Sequence, residues 1–275
     1  MKKLTLTIPI GPDNLLTACE ILSRHSGISR QRIKTAMTCG AVWLKHTAGK
    51  QQRLRRASAI PKKGDRLGLY YDEALLAISP PVPECISDQR NYSVWFKPAG
   101  LLTQGTLFGD HCCLIRRAEI QLNYKRKVFP IHRLDREASG LVLIAHSRDA
   151  AAKLSGLFQK QLVKKHYQII VPGNLAENHP SGTIDRPLDG RQAVTEFECV
   201  DYDPVHDRST VRVRIMTGRL HQIRRHFDMI GFPVLGDPKY GKGNKNAEGM
   251  KLMAISLAFV CPYSHQSVEF KLNNI

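Results

Sequence analysis

The chain has 275 residues, 42% of them hydrophobic, which is enough to bury a core and to form one or two domains. Its 41 Lys and Arg against 24 Asp and Glu give a net charge of +17, which favours a phosphate-bearing partner. The sequence shows no long apolar span and no dominant basic amphipathic helix. We therefore expect nucleic acid as the partner, and no membrane.

The first residues alternate apolar and polar side chains from Leu4 to Pro9, which predicts an edge strand and not an export signal. Seven cysteines, an odd number, are scattered along the chain without any Cys-x-x-Cys spacing. Both features predict a cytoplasmic protein with reduced thiols and no zinc site.

Positive charge is concentrated in the first 80 residues, which carry fourteen Lys and Arg against five Asp and Glu. The remaining 195 residues carry 27 against 19. Between the two parts stands Pro80-Pro81-Val82-Pro83, a stiff segment that can continue neither a helix nor a central strand. We predict a small basic domain over residues 1–80, a proline-rich linker over 81–90 and a second domain over 91–275.

Two short helices and a strand are expected in the first part. An apolar stripe over Asn14–His25 predicts a helix that stops before Gly27. Ser29 can cap a second helix over Arg30–Met37, and Ala41–Leu44 follows as a strand. These elements and the next loop expose a group of cations: Arg30, Arg32, Lys34, Arg55 and Arg56.

Two short helices, the strand "GAVWL" and the turn "KKGDRL" together resemble the small α-L RNA-binding domain. This resemblance implies that the five cations contact RNA phosphates, an attraction that is independent of sequence and weakens with salt. The alternative is an ordinary solvated basic surface.

The second part mixes longer strands and helices. The patterns predict strands over Tyr92–Phe96, Leu141–Ala145, Lys164–Val171 and Thr210–Ile215, and a helix over Ser147–Leu162. In the last of these strands apolar and polar residues alternate strictly, which is typical of an antiparallel sheet that is open on one side.

Asp135 lies in a turn, with Arg133 and Arg136 close to it in sequence, just before the apolar run that starts at Leu141. A carboxylate among guanidinium groups should stay ionised and be held in place. Such a group could serve as a nucleophile or a base. It could equally be a turn Asp that its neighbours neutralise, and these residues alone leave both readings open.

A further helix is predicted after Thr217, because Ile223, Phe227 and Ile230 recur at helical spacing. His221 and Arg224 should share one face of it. His221 and His226, five residues apart, would diverge in direction, which argues against a shared metal ion.

Four blocks then carry a second resemblance: "HRLDREASGL", "KKHYQIIV", "TGRLHQIRRHF" and "GFPVLGDPKYG". In this order they resemble the RluA-type pseudouridine synthases, which isomerise selected uridines in ribosomal or transfer RNA. The resemblance implies an α+β catalytic domain with a large mixed, mainly antiparallel sheet flanked by helices and loops. The reaction it implies requires neither a metal nor an organic cofactor, and we expect the protein to be a monomer.

By the same resemblance, Asp135 is the catalytic aspartate and Arg224 is the arginine that forms an ion pair with it. Tyr167 would stack on the uracil and could move the final proton, and Arg133 would fill the gap left by a flipped base. Four further residues are expected to contact RNA or to shape its binding site: Lys97, His132, Arg219 and His221. Whether Asp135 attacks as a nucleophile or removes a sugar proton stays open.

Three residues depart from the family pattern. Ala138 and Leu220 stand where hydroxyl residues are common, and Met253 stands where a histidine would follow from the pattern. They motivate an alternative function, an RNA-binding or RNA-chaperone protein that keeps the fold without catalysis. A hydrolase that uses Asp135 with His132 is a third reading, but no serine nucleophile or oxyanion-donor pattern supports it.

Overall fold

A computed structural model describes residues 2–272, and these form two compact units. The first unit runs to Pro80 and takes in Gln104–Ile120. The second consists of Pro81–Thr103 and the described chain from Gln121 onward. The units depart from the predicted boundaries in two ways: residues 104–120 group with the first unit, and the predicted linker over 81–90 contains a strand.

The first unit is a four-stranded antiparallel sheet with short helices. Its elements are β1 (Lys3–Pro9), α1 (Ala18–Ser26), α2 (Arg30–Thr38), β2 (Val42–Lys45), β3 (Gln52–Arg53), β4 (Arg66–Asp72) and α3 (Glu73–Leu76). The strand order is β1-β4-β2-β3, so β1 is at the edge of the sheet, as its sequence predicts.

Local sequence explains the two main helices. Thr17 caps α1 in a reciprocal pair with Glu20, and Gly27 ends the helix in the left-handed conformation at φ 65°. Ser29 caps α2, as predicted, by accepting the amide of Arg32. Their apolar faces meet the sheet in one core, where each fully buried Leu or Ile contributes roughly 1.5–3 kcal/mol.

Residues 104–120 are tied to the first unit by side chains of β2, of β3 and of the loop after β3. The indole of Trp43 donates to the carbonyl of Leu107 at 2.9 Å. Asp110 accepts Arg53 at 3.0 Å and Arg55 at 2.5 Å. The segment is therefore part of the fold of this unit, although 23 residues of the other unit, Pro81–Thr103, separate it from Pro80 in the sequence.

The second unit is built on a large sheet with few helices. Its elements are β5 (Glu84–Asp88), β6 (Tyr92–Lys97), β7 (Phe129–Pro130), β8 (Ser139–Ala145), α5 (Arg148–Gln159), β9 (Lys164–Pro172), α6 (Leu175–Asn178), β10 (Ser181–Asp185), β11 (Val194–Asp203), β12 (Arg208–Ile215), α7 (Gln222–Met229), β13 (Leu252–Val260) and β14 (Ser267–Lys271). The helix α4 (Leu114–Gln121), between β6 and β7 in the chain, belongs to the first unit except for Gln121.

The main path of the sheet runs β10-β11-β12-β9-β13-β8-β6-β5, with β14 paired to β13 and β7 paired to β8. Neighbouring strands in the sheet are antiparallel, except that β13 and β8 are parallel. The predicted α+β fold with a mixed, mainly antiparallel sheet is thus confirmed. No helix among residues 2–272 is both long enough and apolar enough to cross a bilayer.

The centre of the sheet needs a glycine at Gly140, in β8. Its φ is +113°, and a Cβ atom there would overlap the backbone of Ala254 in β13. Ala254 pairs with Gly140 on one side and with Tyr167 of β9 on the other. Tyr167 therefore lies two strand spacings, about 9–10 Å, from the strand that begins just after Asp135.

Candidate active site

Asp135 lies in the loop between β7 and β8, with its side chain 25% exposed. Arg224, in the first turn of α7, donates from Nη1 to Oδ2 of this carboxylate at 2.8 Å. The two residues are 89 positions apart, and the structure brings them together as the sequence predicted. Asp135 is thus a held carboxylate that substrate can still reach.

Arg224 is itself fixed by a second carboxylate, Asp237, in the loop between α7 and β13. Its Nε and Nη2 atoms donate to the two oxygens of Asp237 at 2.6 and 2.8 Å. Asp237 also accepts the amides of Lys239 and Tyr240. Both side chains are almost fully buried, so the forked contact is screened little by solvent.

The charges of this pair are firmly held. Burial alone would lower the pKa of Arg224, but its hydrogen bonds to Asp237 and Asp135 raise it above the ordinary value. Burial would likewise raise the pKa of Asp237, but Arg224 and the two amides hold it below its usual range. Near neutral pH, Arg224 is a permanent cation aimed at Asp135.

One oxygen of Asp135 remains available, because Arg224 occupies only Oδ2. His221 faces the other, with Nε2 at 3.9 Å from Oδ1. The Nδ1 atom of His221 is 3.1 Å from the hydroxyl of Tyr240. Burial lowers the pKa of His221 although Asp135 opposes the change, so the imidazole is neutral near pH 7. This predicted RNA contact therefore lies beside the candidate catalytic carboxylate.

Tyr167 is in β9 and only 8% exposed. Burial raises the pKa of its hydroxyl well above the ordinary value, and the negative charge of Asp135 raises it further. Among residues 2–272 its hydroxyl has no hydrogen-bond partner. Tyr167 therefore offers a ring face and a protonated hydroxyl.

The prediction that Lys97 contacts RNA phosphate is wrong, because its side chain is fully buried. Its ammonium donates to four carbonyl oxygens, at Leu101, Ala138, Pro98 and Arg136, at distances of 2.6 to 3.3 Å. Burial lowers its pKa to about 8, while Asp135 and Glu137 oppose the change, so it stays mainly protonated near pH 7. Lys97 ties the turn after β6 to the loop that carries Asp135, which agrees with its alternative role of shaping the site.

His132 is also held inside its unit. Its Nε2 atom accepts the amide of Leu143 at 3.0 Å, and its ring stacks on Phe158 with centroids 4.5 Å apart. Burial lowers its pKa to about 3, so it carries no positive charge at neutral pH. The contacts of His132 are structural and leave no cation for a phosphate group, in contrast to its predicted RNA contact.

Arg133 and Arg219 differ in how much of their guanidinium is free. Arg133 is exposed, and its side chain has no hydrogen bond or ion pair to any residue in the described range 2–272. Arg219 is half-buried and donates from Nε to the carbonyl of Gln192 at 2.9 Å. Arg133 is thus free to contact a substrate, and Arg219 retains its two terminal nitrogens.

The cations predicted in the first unit fall into two groups. Arg30 and Arg32 pair with acidic residues on the surface, yet each side chain is still 62% exposed. Lys34 and Arg56 are exposed as well. Arg55 differs, because it donates to Thr38 and Asp110 within the unit. Its guanidinium is therefore mainly engaged in contacts within the unit, and the prediction that Arg55 contacts RNA phosphate is corrected accordingly.

Sequence reasoning missed three residues that organise the site: Gln222, Asp237 and Tyr240. The buried amide of Gln222 accepts from Thr217 and Arg219 and donates to Val194 and Thr195, which fixes the turn before α7. All three lie inside the quoted blocks, "TGRLHQIRRHF" and "GFPVLGDPKYG". Their position as polar residues within those blocks was the signal that could have identified them.

The three departures from the family pattern occupy different environments. Ala138 is buried, and its carbonyl accepts Lys97. Met253 belongs to β13 and pairs with Ser139. Leu220 is 62% exposed beside His221. None of them replaces a group in the Asp135, Arg224 and Asp237 network.

Comparison with known proteins identifies a family for this chain. The RNA pseudouridylate synthase family matches residues 91–229. An uncharacterized RNA pseudouridine synthase of Aquifex aeolicus is 30% identical over 79% of this chain and 74% of its own length. The ribosomal large subunit pseudouridine synthase D of Zymomonas mobilis is 33% identical over 51% of this chain and 50% of its own length.

Solved structures agree on the fold. Human RNA pseudouridylate synthase domain containing 1 superposes with a TM-score of 0.60 over 72% of this chain and 86% of that one, at 20% identity. The alignments with the curated relatives span from 50% to 75% of a relative's length. The matched range, residues 91–229, spans Asp135, Tyr167 and Arg224. The chain belongs to the RNA pseudouridine synthase family, a family of isomerases, as its four sequence blocks predicted.

Proposed function

We propose that this protein converts uridine to pseudouridine in RNA, with Asp135, Arg224 and Tyr167 at the reacting nucleotide. The observation that carries the proposal is the Asp135 carboxylate, which is paired at one oxygen with the buried Arg224 and free at the other. A carboxylate in this state is held in one orientation and can be reached by substrate.

The reaction breaks the bond between C1′ of the sugar and N1 of uracil, turns the base, and joins C1′ to C5. There is no net oxidation or reduction, so the chemistry itself requires neither a metal nor an organic cofactor. The free Oδ1 of Asp135 can attack C1′ and later leave, or remove the proton on C2′ and later return it. Arg224 stabilises the carboxylate form that both routes regenerate.

Tyr167 supports the base during its rotation. Its ring face can stack on uracil, and its hydroxyl, which stays protonated because its pKa is raised, can donate to a uracil oxygen. A neutral phenol is a poor proton acceptor. Tyr167 is therefore suited to binding and donating, and to accept the final proton it would first have to lose its own.

The RNA must present its uridine outside the helix stack, since a stacked base cannot reach Asp135. Arg133, exposed two residues before Asp135, fills the gap that the flipped base leaves. Arg219 binds neighbouring phosphate, and the exposed Arg30, Arg32, Lys34 and Arg56 of the first unit add sequence-independent attraction, as in an α-L domain.

The substrate is ribosomal or transfer RNA, a class supported by the Zymomonas relative, a ribosomal large subunit pseudouridine synthase, and by the basic first unit. The protein acts in the cytoplasm as a monomer. Its seven cysteines, all within residues 2–272, are free thiols, which fits a reducing compartment.

The test uses ribosomal and transfer RNA transcribed without pseudouridine. After incubation with protein, pseudouridines are mapped from reverse-transcription stops caused by carbodiimide. We expect at least one new stop with the wild type and none with Asp135→Asn, which preserves shape but removes the charge. Identical patterns on every RNA would contradict catalysis and would favour the RNA-binding alternative, most directly if Asp135→Asn also rescued a deletion strain fully.

A further inference from the structure

One proton has to be moved late in this reaction. Once C5 has joined C1′, it carries both the sugar and its original hydrogen. The C5–H electron pair must form the C5–C6 double bond, while the π pair of the C6=N1 double bond moves to N1 and N1 takes up a proton. This step is the same whether Asp135 acts as a nucleophile or as a base. It needs a proton acceptor near the ring.

Most polar groups around the site cannot accept this proton. Arg224 is a permanent cation, and Lys97 is mainly protonated and donates to four carbonyls. Tyr167 can accept it only after losing its own proton, which its raised pKa opposes. Asp237 is fully buried under Arg224, so it cannot reach the base.

His221 differs from these groups in both position and chemistry. Its Nε2 is 3.9 Å from Oδ1 of Asp135, the oxygen that must approach the sugar. Its side chain is 19% exposed, so substrate can reach it. His221 occupies the N-cap position of α7, yet its side chain makes no capping hydrogen bond. The imidazole is turned instead toward the site.

The backbone that aims His221 is unusual. Its φ and ψ are 51° and 32°, a left-handed conformation that residues other than glycine rarely adopt. The hydrogen bonds of the Gln222 amide hold the turn in this shape. Conformational strain of this kind is retained where the surrounding structure fixes it, and it concentrates at functional sites.

Tyr240 defines the other side of the imidazole. Its hydroxyl lies 3.1 Å from Nδ1, and the two rings meet edge to face with centroids 5.8 Å apart. A phenolic hydroxyl can accept as well as donate. When it accepts from Nδ1–H, the lone pair of Nε2 faces the space beside Oδ1. Tyr240 thus selects the tautomer in which Nε2 can accept a proton.

From this geometry we propose that His221, positioned by Tyr240, accepts the C5 proton through Nε2 and returns it to N1. The C5–H bond breaks, and the imidazolium forms 3.9 Å from the carboxylate of Asp135, which stabilises it. When the imidazolium gives the proton to N1, His221 is neutral again and the product is pseudouridine. No proton, electron or co-reactant is consumed.

The lowered pKa of His221 agrees with this role, since the group must be neutral before it accepts a proton. The role rests on the proposed function, because it concerns the last step of the same reaction. His221 is a catalytic residue in this scheme, and Tyr240 is a positioning residue.

The test compares RNA that carries hydrogen or deuterium at C5 of uridine, using a transcript that the wild type modifies in the carbodiimide assay. Under single-turnover conditions, loss of a general base is expected to slow product formation by about 10²-fold or more. We expect His221→Gln to show this loss together with a primary isotope effect that the wild type lacks. Added imidazole should restore part of the rate in His221→Ala.

Three controls make the result decisive. His206→Gln, in the turn between β11 and β12, should keep the wild-type rate. Tyr167→Phe should slow the reaction without the new isotope effect, whereas Tyr240→Phe should show a partial one. RNA affinity and the melting temperature of His221→Gln should stay close to the wild type, which separates chemistry from folding.

The proposal is overturned if His221→Gln keeps the wild-type rate, or if it loses rate without an isotope effect. An isotope effect in Tyr167→Phe instead would assign the proton to the tyrosine. If the wild type modifies no RNA at all, the proposed function itself fails, and that outcome is distinct from both of these.

Discussion

Asp237 accepts two parallel hydrogen bonds from Arg224, one from Nε at 2.6 Å and one from Nη2 at 2.8 Å. The Nη1 atom of Arg224 is therefore left for Asp135. The side chain of Asp237 is fully buried. The aim of the guanidinium at Asp135 therefore depends on a residue that need not touch the substrate.

Asp237→Asn should lower both stability and activity, because a buried charge loses its partner. We expect the free energy of unfolding to fall by about 3 kcal/mol and the turnover rate by about 10²-fold. Denaturant titration and single-turnover kinetics measure the two effects. Asp189→Asn is the matched control, since Asp189 pairs with the adjacent Arg225 at an exposed site. It should cost less than about 1 kcal/mol. An Asp237→Asn enzyme with normal kinetics would contradict the positioning role.

Lys97→Met should destabilise the second unit without directly removing a phosphate contact. Leu101 and Ala138 would lose their closest donor, and each buried carbonyl left unpaired costs about 1–3 kcal/mol. Denaturant unfolding measures the loss. Lys153→Met, at an exposed ion pair, should change stability by no more than about 0.5 kcal/mol. Normal stability combined with weaker RNA binding would restore the original prediction for Lys97.

Asp237 and Lys97 show the limits of prediction from the sequence, and Asp135 and Arg224 show its reach. Asp135 and Arg224 were predictable because each lies in a distinctive block, and the strands were predictable from their apolar alternation. Lys97 was misassigned because a lysine in a turn is usually solvated, and its burial depends on carbonyls from a distant loop. Asp237 was missed because its partner is brought to it only by the fold. Residues 104–120 could not be assigned, since pairing of Asp110 with Arg53 and Arg55 is a tertiary event.

The pH dependence of the wild type should contain a limb due to His221. Burial and the cations Arg224 and Lys239 lower its pKa, while Asp135 and Asp237 raise it, and the net result lies below the ordinary value of 6.5. The neutral form accepts the proton, so the rate should be full at pH 7 and fall as pH drops through that pKa. Single-turnover rates of the wild type and His221→Gln between pH 5 and 8 check this. A limb of the same size in the variant would assign it to another group.

Removing residues 1–80 alone should damage the remaining protein, because residues 104–120 would lose their hydrogen-bond partners Trp43 and Arg53. Phe108, which packs edge to face on Tyr70, would be left without that contact. We expect this truncation to aggregate. A second form that also replaces residues 104–120 with a short Gly-Ser linker should remain folded, as judged by cooperative unfolding. If the simple truncation is monomeric and cooperative, the segment does not depend on the first unit.

The exposed cations of the first unit should govern the salt dependence of RNA binding. Each phosphate contact contributes about 0.7–0.9 to the slope of log affinity against log salt. Replacing Arg30, Lys34 and Arg56 together by Gln should therefore reduce that slope by about 2–3, with little change in stability because their side chains are exposed. Arg53→Gln is the contrasting variant, since Arg53 pairs with Asp110 and covers Trp43. It should lower stability and leave the slope near the wild-type value. Filter binding of a ribosomal RNA fragment by the full chain, from 50 to 300 mM salt, measures both slopes. An unchanged slope in the triple variant would show that the first unit is a solvated basic surface and not an RNA contact.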